Sequence, residues 1–508
     1  MKKIIIFLLG IIIMSTSCKK NENEIEINKE ESLNRFTSLQ KQIAEKAIKM
    51  PAENNPAVLH KFNADPAVLV YNDTVYIYCT NDSQQAEFSL GKADNAYDKI
   101  NTLNVFSSKD LVNWTDCGII KVAGPNGAAK WARNSWAPAI CTKKIDGKDK
   151  FFLYFADSAN GIGVLSAGSP VGPYVDPIGK ALVSRGMPGI DGVHWLFDPA
   201  VIVDDDGTGY IYFGGGHQEE FIHPKSARCA QLGDDMISLA AVPAEIDAPF
   251  LFEDSGINKI GDTYYYSYCS NWQSRDGVKA NPMIPIAVIA YMTSKNPLGP
   301  FEYQGYTLEN PGTYFGAWGN NHHWIFNFRG KYYIAYHAQI IEKTIGFTKG
   351  GYRNLMITDF KVNDDGSWPI QAAKKTGVAQ SGTFNPYEEI PAATMCYSRN
   401  MIVSSLQTLY ALKDGAYVCI KGVDFAKDPS TGSGTTKVVV KVASGHKGGT
   451  IEFRADHFAN GDVLAKLDVK AGEEAVTADF TAPAGNQPHD LYITICGDVE
   501  VQTWQITY

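Results

Sequence analysis

The chain has 508 residues, and its 46 Lys and Arg against 55 Asp and Glu leave a net charge of −9. At ~100–200 residues per domain this length predicts two to four domains. The acidic balance excludes a nucleic-acid binder built on a basic stripe, and 44% hydrophobic with 20% charged residues excludes a disordered chain. Aromatic residues make up 12%, with 46 Gly and 24 Pro to punctuate them. That profile describes an all-β protein and would suit a sugar binder.

The first residues, Met1-Lys2-Lys3, precede an apolar run from Ile4 to Met14 and then Ser15-Thr16-Ser17-Cys18. Two lysines, a short apolar core and small residues form a secretory signal over 1–17. The run is shorter than the ~20 residues of a spanning helix. A Cys directly after small residues resembles a bacterial lipobox, with Cys18 lipidated and the protein anchored in the bacterial cell envelope, periplasmic or surface-exposed. Residues 18–54 form a polar tether and one amphipathic helix. In that helix Leu33, Phe36, Leu39, Ile43 and Ala47 recur at helical spacing over about 31–49, before Pro51. Eight further cysteines, none in C-x-x-C spacing, read as buried free thiols.

A strand rich in Tyr and Phe then recurs after a Gly or Asp turn. The copies contain Val75-Tyr76-Ile77-Tyr78, Phe151-Phe152-Leu153-Tyr154, Tyr210-Ile211-Tyr212-Phe213, Tyr264-Tyr265-Tyr266 and Tyr332-Tyr333-Ile334. From Tyr76, Phe152, Tyr210, Tyr264 and Tyr332 the steps are 76, 58, 54 and 68 residues. Five repeats of several short strands predict a five-bladed β-propeller over 55–380. Before each copy lies another apolar segment, predicted to be the innermost strand of its blade. Asp65, Asp198, Glu253 and His322 precede the following Tyr by 11, 12, 11 and 10 residues. Equivalent positions converge on a propeller axis, so these four are predicted around one mouth, with Trp136 beside them. Three carboxyls in an aromatic funnel form a glycosidase-like set. Asp204-Asp205-Asp206-Gly207 reads as a hairpin turn rather than a calcium loop.

At these residues the sequence resembles glycoside hydrolase family 43. The stretches from Trp195 to Tyr210, from Ala248 to Gly256 and from Gly319 to His323 are similar to those of arabinoxylan arabinofuranohydrolases. So are Tyr336-His337-Ala338-Gln339 and Gly351-Tyr352-Arg353. The resemblance implies an inverting, exo-acting α-L-arabinofuranosidase on arabinoxylan, with Asp65 as general base and Glu253 as general acid. Asp198 would raise the pKa of that acid and orient it. It also implies that Trp136, Trp195, Arg353 and Trp318 contact substrate and that His322 accompanies a structural calcium ion. Inversion needs room for a water between the two working carboxyls, ~6.5–9.5 Å.

After Gln380 the Tyr pattern stops. Residues 383–508 alternate apolar and polar in short strands separated by Gly-rich turns, which predicts a β-sandwich (jelly-roll) domain. The run from Lys413 to Phe425, with Val442-Ala443-Ser444 and Trp504, resembles carbohydrate-binding module family 6. Pro391-Ala392-Ala393 stands where that family has a calcium-binding Glu-Ala-Glu, so its calcium site is lost or altered here. Two alternatives stay open: a β-xylosidase or arabinanase of the same family, and a non-catalytic glycan-binding lipoprotein. No H-E-x-x-H, G-x-S-x-G or P-loop pattern supports another enzyme class.

Overall fold

A computed structural model describes residues 32–216, 220–426, 436–485 and 487–507. The expected leader over 1–17 and the lipidation candidate Cys18 lie outside the described residues, and among those described no helix is long and apolar enough to cross a membrane.

Strands dominate. The first antiparallel sheet is Ala64–Tyr71, Thr74–Thr80, Thr102–Ser108 and Trp114–Lys121. The second is Trp136–Ile145, Lys148–Ala156, Gly161–Ala167 and Val183–Ser184; the third is Ala200–Val203, Gly209–Phe213, Ala227–Gln231 and Ala244–Ile246. The fourth is Leu251–Ile260, Thr263–Ser270, Ile289–Ser294 and Glu302–Leu308; the fifth has three strands, His323–Phe328, Lys331–Ala338 and Asn354–Asp359. The first strand of each sheet packs on the first strands of its two neighbours, and the fifth returns to the first.

The Tyr/Phe strands explain this ring. Each is the second strand of its sheet and is buried on both faces, so it reads as a continuous apolar run rather than an alternating one. Side chains still alternate. Phe151 and Leu153 pack with Tyr78, Leu103 and Val105 of the first sheet, while Phe152 and Tyr154 pack with Val201, Ile211 and Phe213 of the third. The same sharing joins the third sheet to the fourth, the fourth to the fifth and the fifth back to the first. Each such buried ring stabilises by roughly 1.5–3 kcal/mol. Some of their hydroxyls reach the neighbouring sheet's loops: Tyr78 donates to the Pro170 carbonyl at 2.6 Å and Tyr154 to that of Met236 at 2.7 Å.

The expected helix over 31–49 is shorter, Ser38–Lys46. Thr37 caps it, accepting from the Gln40 N–H while the Gln40 side chain accepts from the Thr37 N–H, and this capping box fixes the start after Phe36. Phe36 instead lies against Tyr410 with ring centroids 5.2 Å apart. Leu39, Ile43 and Ala47 pack with Phe62, Ile341, Ile345 and Tyr352, so the segment bridges the ring and the C-terminal region.

Beyond residue 383 two sheets share one core. One runs Met401–Val403, Leu409–Ala411, Glu500–Thr507, Lys437–Val442, Ala475–Asp479, with Ile390–Pro391 pairing beside Glu500–Thr507. The other runs Tyr397–Arg399, Ala416–Val423, His489–Asp498, Gly448–Ala455, Val463–Lys470. Val438, Val440, Trp504 and Ile506 of one meet Val418, Ile420, Phe453 and Ile493 of the other. Thr394–Met395 leaves this region to pair with Thr115 and Trp114, extending the first sheet of the ring. Of the eight cysteines from Cys79 to Cys496, six are buried free thiols: Cys79, Cys141, Cys229, Cys269, Cys396 and Cys419. Asp204-Asp205-Asp206-Gly207 is a hairpin connection, pinned by Lys259.

Candidate active site

The innermost strands share one local distortion. Pairing runs from Ala64↔Thr80 to Ala67↔Tyr78, from Trp136↔Ala156 to Ala139↔Tyr154 and from Glu253↔Cys269 to Gly256↔Ser267, each with an extra residue on the inner strand. The first bulge residue has positive φ: Asp65 +48°, Ala137 +39° and Asp254 +69°, and Asp198 before the third sheet has +47°. Such values are strained for non-glycine residues and re-aim the side chain.

This register corrects one expectation. The position equivalent to Asp65 and Asp198 is Asp254, not Glu253. Glu253 occupies the preceding position, that of Ala64 and Trp136. A bulge adds a residue without disturbing the apolar pattern, so sequence offsets alone left one residue of play.

Asp65, Asp198, Glu253, Asp254, His322 and Arg353 are all buried. The Asp65 Oδ1 lies 2.7 Å from Arg353 Nη1, and His322 Nδ1 lies 3.6 Å from Asp65 Oδ1 and 3.8 Å from Asp198 Oδ2. The Asp65 N–H donates to His337 Nδ1 at 3.1 Å, while His337 Nε2 donates to the Asn320 carbonyl at 2.8 Å, which fixes the ring hydrogen on Nε2. The Asp254 N–H donates to Asp198 Oδ2 at 2.9 Å. The Asp254 carboxylate takes His323 Nδ1 at 2.6 Å and His322 Nε2 at 3.2 Å, and Ser267 Oγ stands 2.8 Å from His323 Nε2. Glu253 Oε1 is buried without a protein partner. Buried polar atoms are normally paired, so this oxygen is open to a group from outside the chain.

These surroundings set the carboxyls apart electrostatically. Burial pushes Asp65 up, but the Arg353 charge together with His337 and His322 outweighs it and holds Asp65 well below the usual carboxylate range. Burial drives Glu253 well above that range, reinforced by the charges of Asp198, Asp65 and Asp254. Burial and the Asp65 charge also raise Asp198, opposed by the Asp254 N–H that favours its ionised form. Burial raises Asp254, opposed by His322, and pushes His323 down to about 3. One carboxyl is thus kept ionised and another kept protonated, which is the pairing that acid–base hydrolysis requires.

The aromatic candidates divide. Trp136 is half-buried, donates from Nε1 to the Tyr97 carbonyl at 3.1 Å and meets the Tyr97 ring edge-on at 6.1 Å; Arg353 lies over that ring at 5.0 Å. Trp195 packs edge-on to Phe197 at 5.6 Å and Phe252 at 5.0 Å, the residues preceding Asp198 and Glu253. Trp318 is 57% exposed and packs over Gly312, where an added Cβ would strike its ring.

His322 faces three carboxylates rather than a cage of oxygens. Among the described residues no group of three His, Cys, Asp or Glu is arranged to hold a metal ion, whereas calcium takes six to eight oxygen ligands. Asp82 and His337 had no role in the sequence reading. Asp82 lies in the first turn of the helix Asp82–Ser89 and pairs with Arg353. Neither residue shares the repeat offset, the one signal that marks the axis.

Residues 54–369 match the profile described as Glycosyl hydrolases family 43. An arabinoxylan arabinofuranohydrolase of Paenibacillus polymyxa is 41% identical over 488 residues, covering 90% of this chain and 75% of the relative. That of Bacillus subtilis strain 168 is 42% identical over 446 residues, covering 84% and 85%. A crystal structure of a family 43 arabinoxylan arabinofuranohydrolase from Bacillus subtilis, in complex with cellotetraose, superposes with a TM-score of 0.84 at 41% identity, covering 92% of this chain and 99% of that one. With its fold, its axial carboxyls and these relatives, the chain belongs to glycosyl hydrolase family 43.

Proposed function

We propose that this protein is an inverting, exo-acting α-L-arabinofuranosidase that releases arabinose side chains from arabinoxylan. The observation that carries the reading is the electrostatic division of Asp65 from Glu253, and the activity named for the relatives agrees with it. Asp65, ionised beside Arg353, takes a proton from water as that water attacks the anomeric carbon. Glu253, protonated and with one oxygen unpartnered, gives its proton to the departing xylan oxygen. Asp198, held by the Asp254 N–H, raises the pKa of Glu253 and orients it. Bond making and breaking on opposite faces of the ring invert the configuration. Trp136 and Trp195 offer ring faces and edges to the C–H surface of the sugar, and Trp318 an exposed ring at the rim.

In the same reading residues 55–380 form a five-bladed propeller, supported by five sheets whose inner strands contact in cyclic order. Residues 383–508 form a β-sandwich related to carbohydrate-binding module family 6, supported by two sheets around one core. A leader over 1–17, lipidation at Cys18 and a tether over 18–54 would hold the enzyme at the bacterial cell envelope. A structural calcium ion accompanying His322 belongs to the same reading, and the proposed mechanism routes no step through it. Incubation with wheat arabinoxylan, followed by early NMR of the product, tests the function: β-L-arabinofuranose should appear first and mutarotate afterwards. Xylose as the released sugar, or the α anomer first, would refute it.

A further inference from the structure

The contacts around Arg353 assign a role to Asp82. The guanidinium is a planar fork with five donors, and a free fork binds a carboxylate through two of them at once. Here the Nε and Nη2 edge is taken by Asp82, at 2.8 Å to Oδ2 and 2.8 Å to Oδ1. The Arg353 N–H also donates to Asp82 Oδ2 at 3.1 Å. Asp82 is fully buried. With that edge held, the guanidinium meets Asp65 through Nη1 alone, which reaches Oδ1 at 2.7 Å. His322 Nδ1 also lies nearest to Oδ1, at 3.6 Å.

We propose that Asp82 is a positioning residue: by anchoring the Nε/Nη2 edge of Arg353 it fixes the orientation in which the guanidinium meets one oxygen of Asp65 through Nη1, leaving Oδ2 to accept the proton of the attacking water. Without Asp82 the fork turns onto both Asp65 oxygens, stays paired, and silences the base. The inference rests on Asp65 being the general base.

The test uses the full chain and arabinoxylan. Asp82→Ala should lower kcat about 100-fold, the lower end of what general acid–base catalysis contributes, with KM moving less than about threefold. Adding Arg353→Lys to Asp82→Ala should restore about tenfold of the lost kcat, because an ammonium cannot chelate both oxygens. A purely structural role predicts the reverse, a double variant that melts lower and turns over no faster. Asp82→Asn keeps the shape and should show the same kcat loss if Asp82→Ala does not fold. Wild-type kcat in Asp82→Asn, or a double variant no faster than Asp82→Ala with both folded by thermal melting, overturns the inference. Asp65→Ala is assayed beside them. If it turns over normally the base assignment itself fails; if it is inactive while the Asp82 variants are normal, only the inference fails.

Discussion

Replacing Arg353 by Met removes the cation that keeps Asp65 ionised. Its Nη1 lies 2.7 Å from Asp65 Oδ1, which sets the charge centres about 4 Å apart and the attraction near 4 kcal/mol at an effective dielectric of about 20. That corresponds to about 3 pKa units. Burial, already the largest influence on Asp65 and an upward one, is then opposed only by the weaker contributions of His337 and His322. The sign follows: a carboxyl whose pKa was depressed now binds its proton at higher pH, so base function is lost from the acid side. In the parent the Asp65 limb of kcat/KM for arabinose release lies below the usual carboxylate range; in Arg353→Met it should move up by about 2–3 units, read in profiles taken down to the lowest pH at which the enzyme stays folded. Two buried carboxylates also lose their partner, so Arg353→Met should destabilise by about 3–5 kcal/mol. Arg353→Lys, which retains charge, serves as the folded control and should shift the limb far less. An acid limb unmoved in folded Arg353→Met would refute the electrostatic account of Asp65.

Glu253→Gln should reduce kcat on arabinoxylan by about 100-fold or more while substrate binding, read by calorimetry, persists; the loss should be smaller on an aryl arabinofuranoside whose leaving group needs no proton. Glu342, buried and accepting the Tyr352 N–H at 2.8 Å, is pushed up to about 7 by burial. A carboxyl raised in the folded state destabilises once pH exceeds its unfolded value, so Glu342→Gln should raise the melting temperature at pH 8, by up to about 3 kcal/mol, and change little at pH 4. Tyr154→Phe leaves the Met236 carbonyl without its donor in a buried layer and should cost about 1–3 kcal/mol in denaturant unfolding, with kcat unchanged.

The repeated Tyr/Phe strands were legible because both faces of each are buried, leaving an apolar run with a turn before it. The axial placement of Asp65 and Asp198 followed from the same repeat. Glu253 was found one position from where the repeat argument placed it, since a bulge shifts register without changing polarity. Asp82, by contrast, is polar, local to a short helix and far from Arg353 in the chain. Only the closed ring brings the two together, and no spacing rule anticipates that. The helix start was misjudged for a related reason: Leu33 and Phe36 keep helical spacing, yet the Thr37–Gln40 capping box begins the helix after them.

The pairing of Thr394–Met395 with the strand Trp114–Lys121 bears on how this protein can be cut. A catalytic fragment ended at residue 380 would lose the two residues that cover that strand and bare its unpaired backbone groups, with Ile119 already 48% exposed on it. Open edges of this kind recruit other chains. Such a fragment should therefore self-associate, whereas one extended through residue 396 would keep its margin closed.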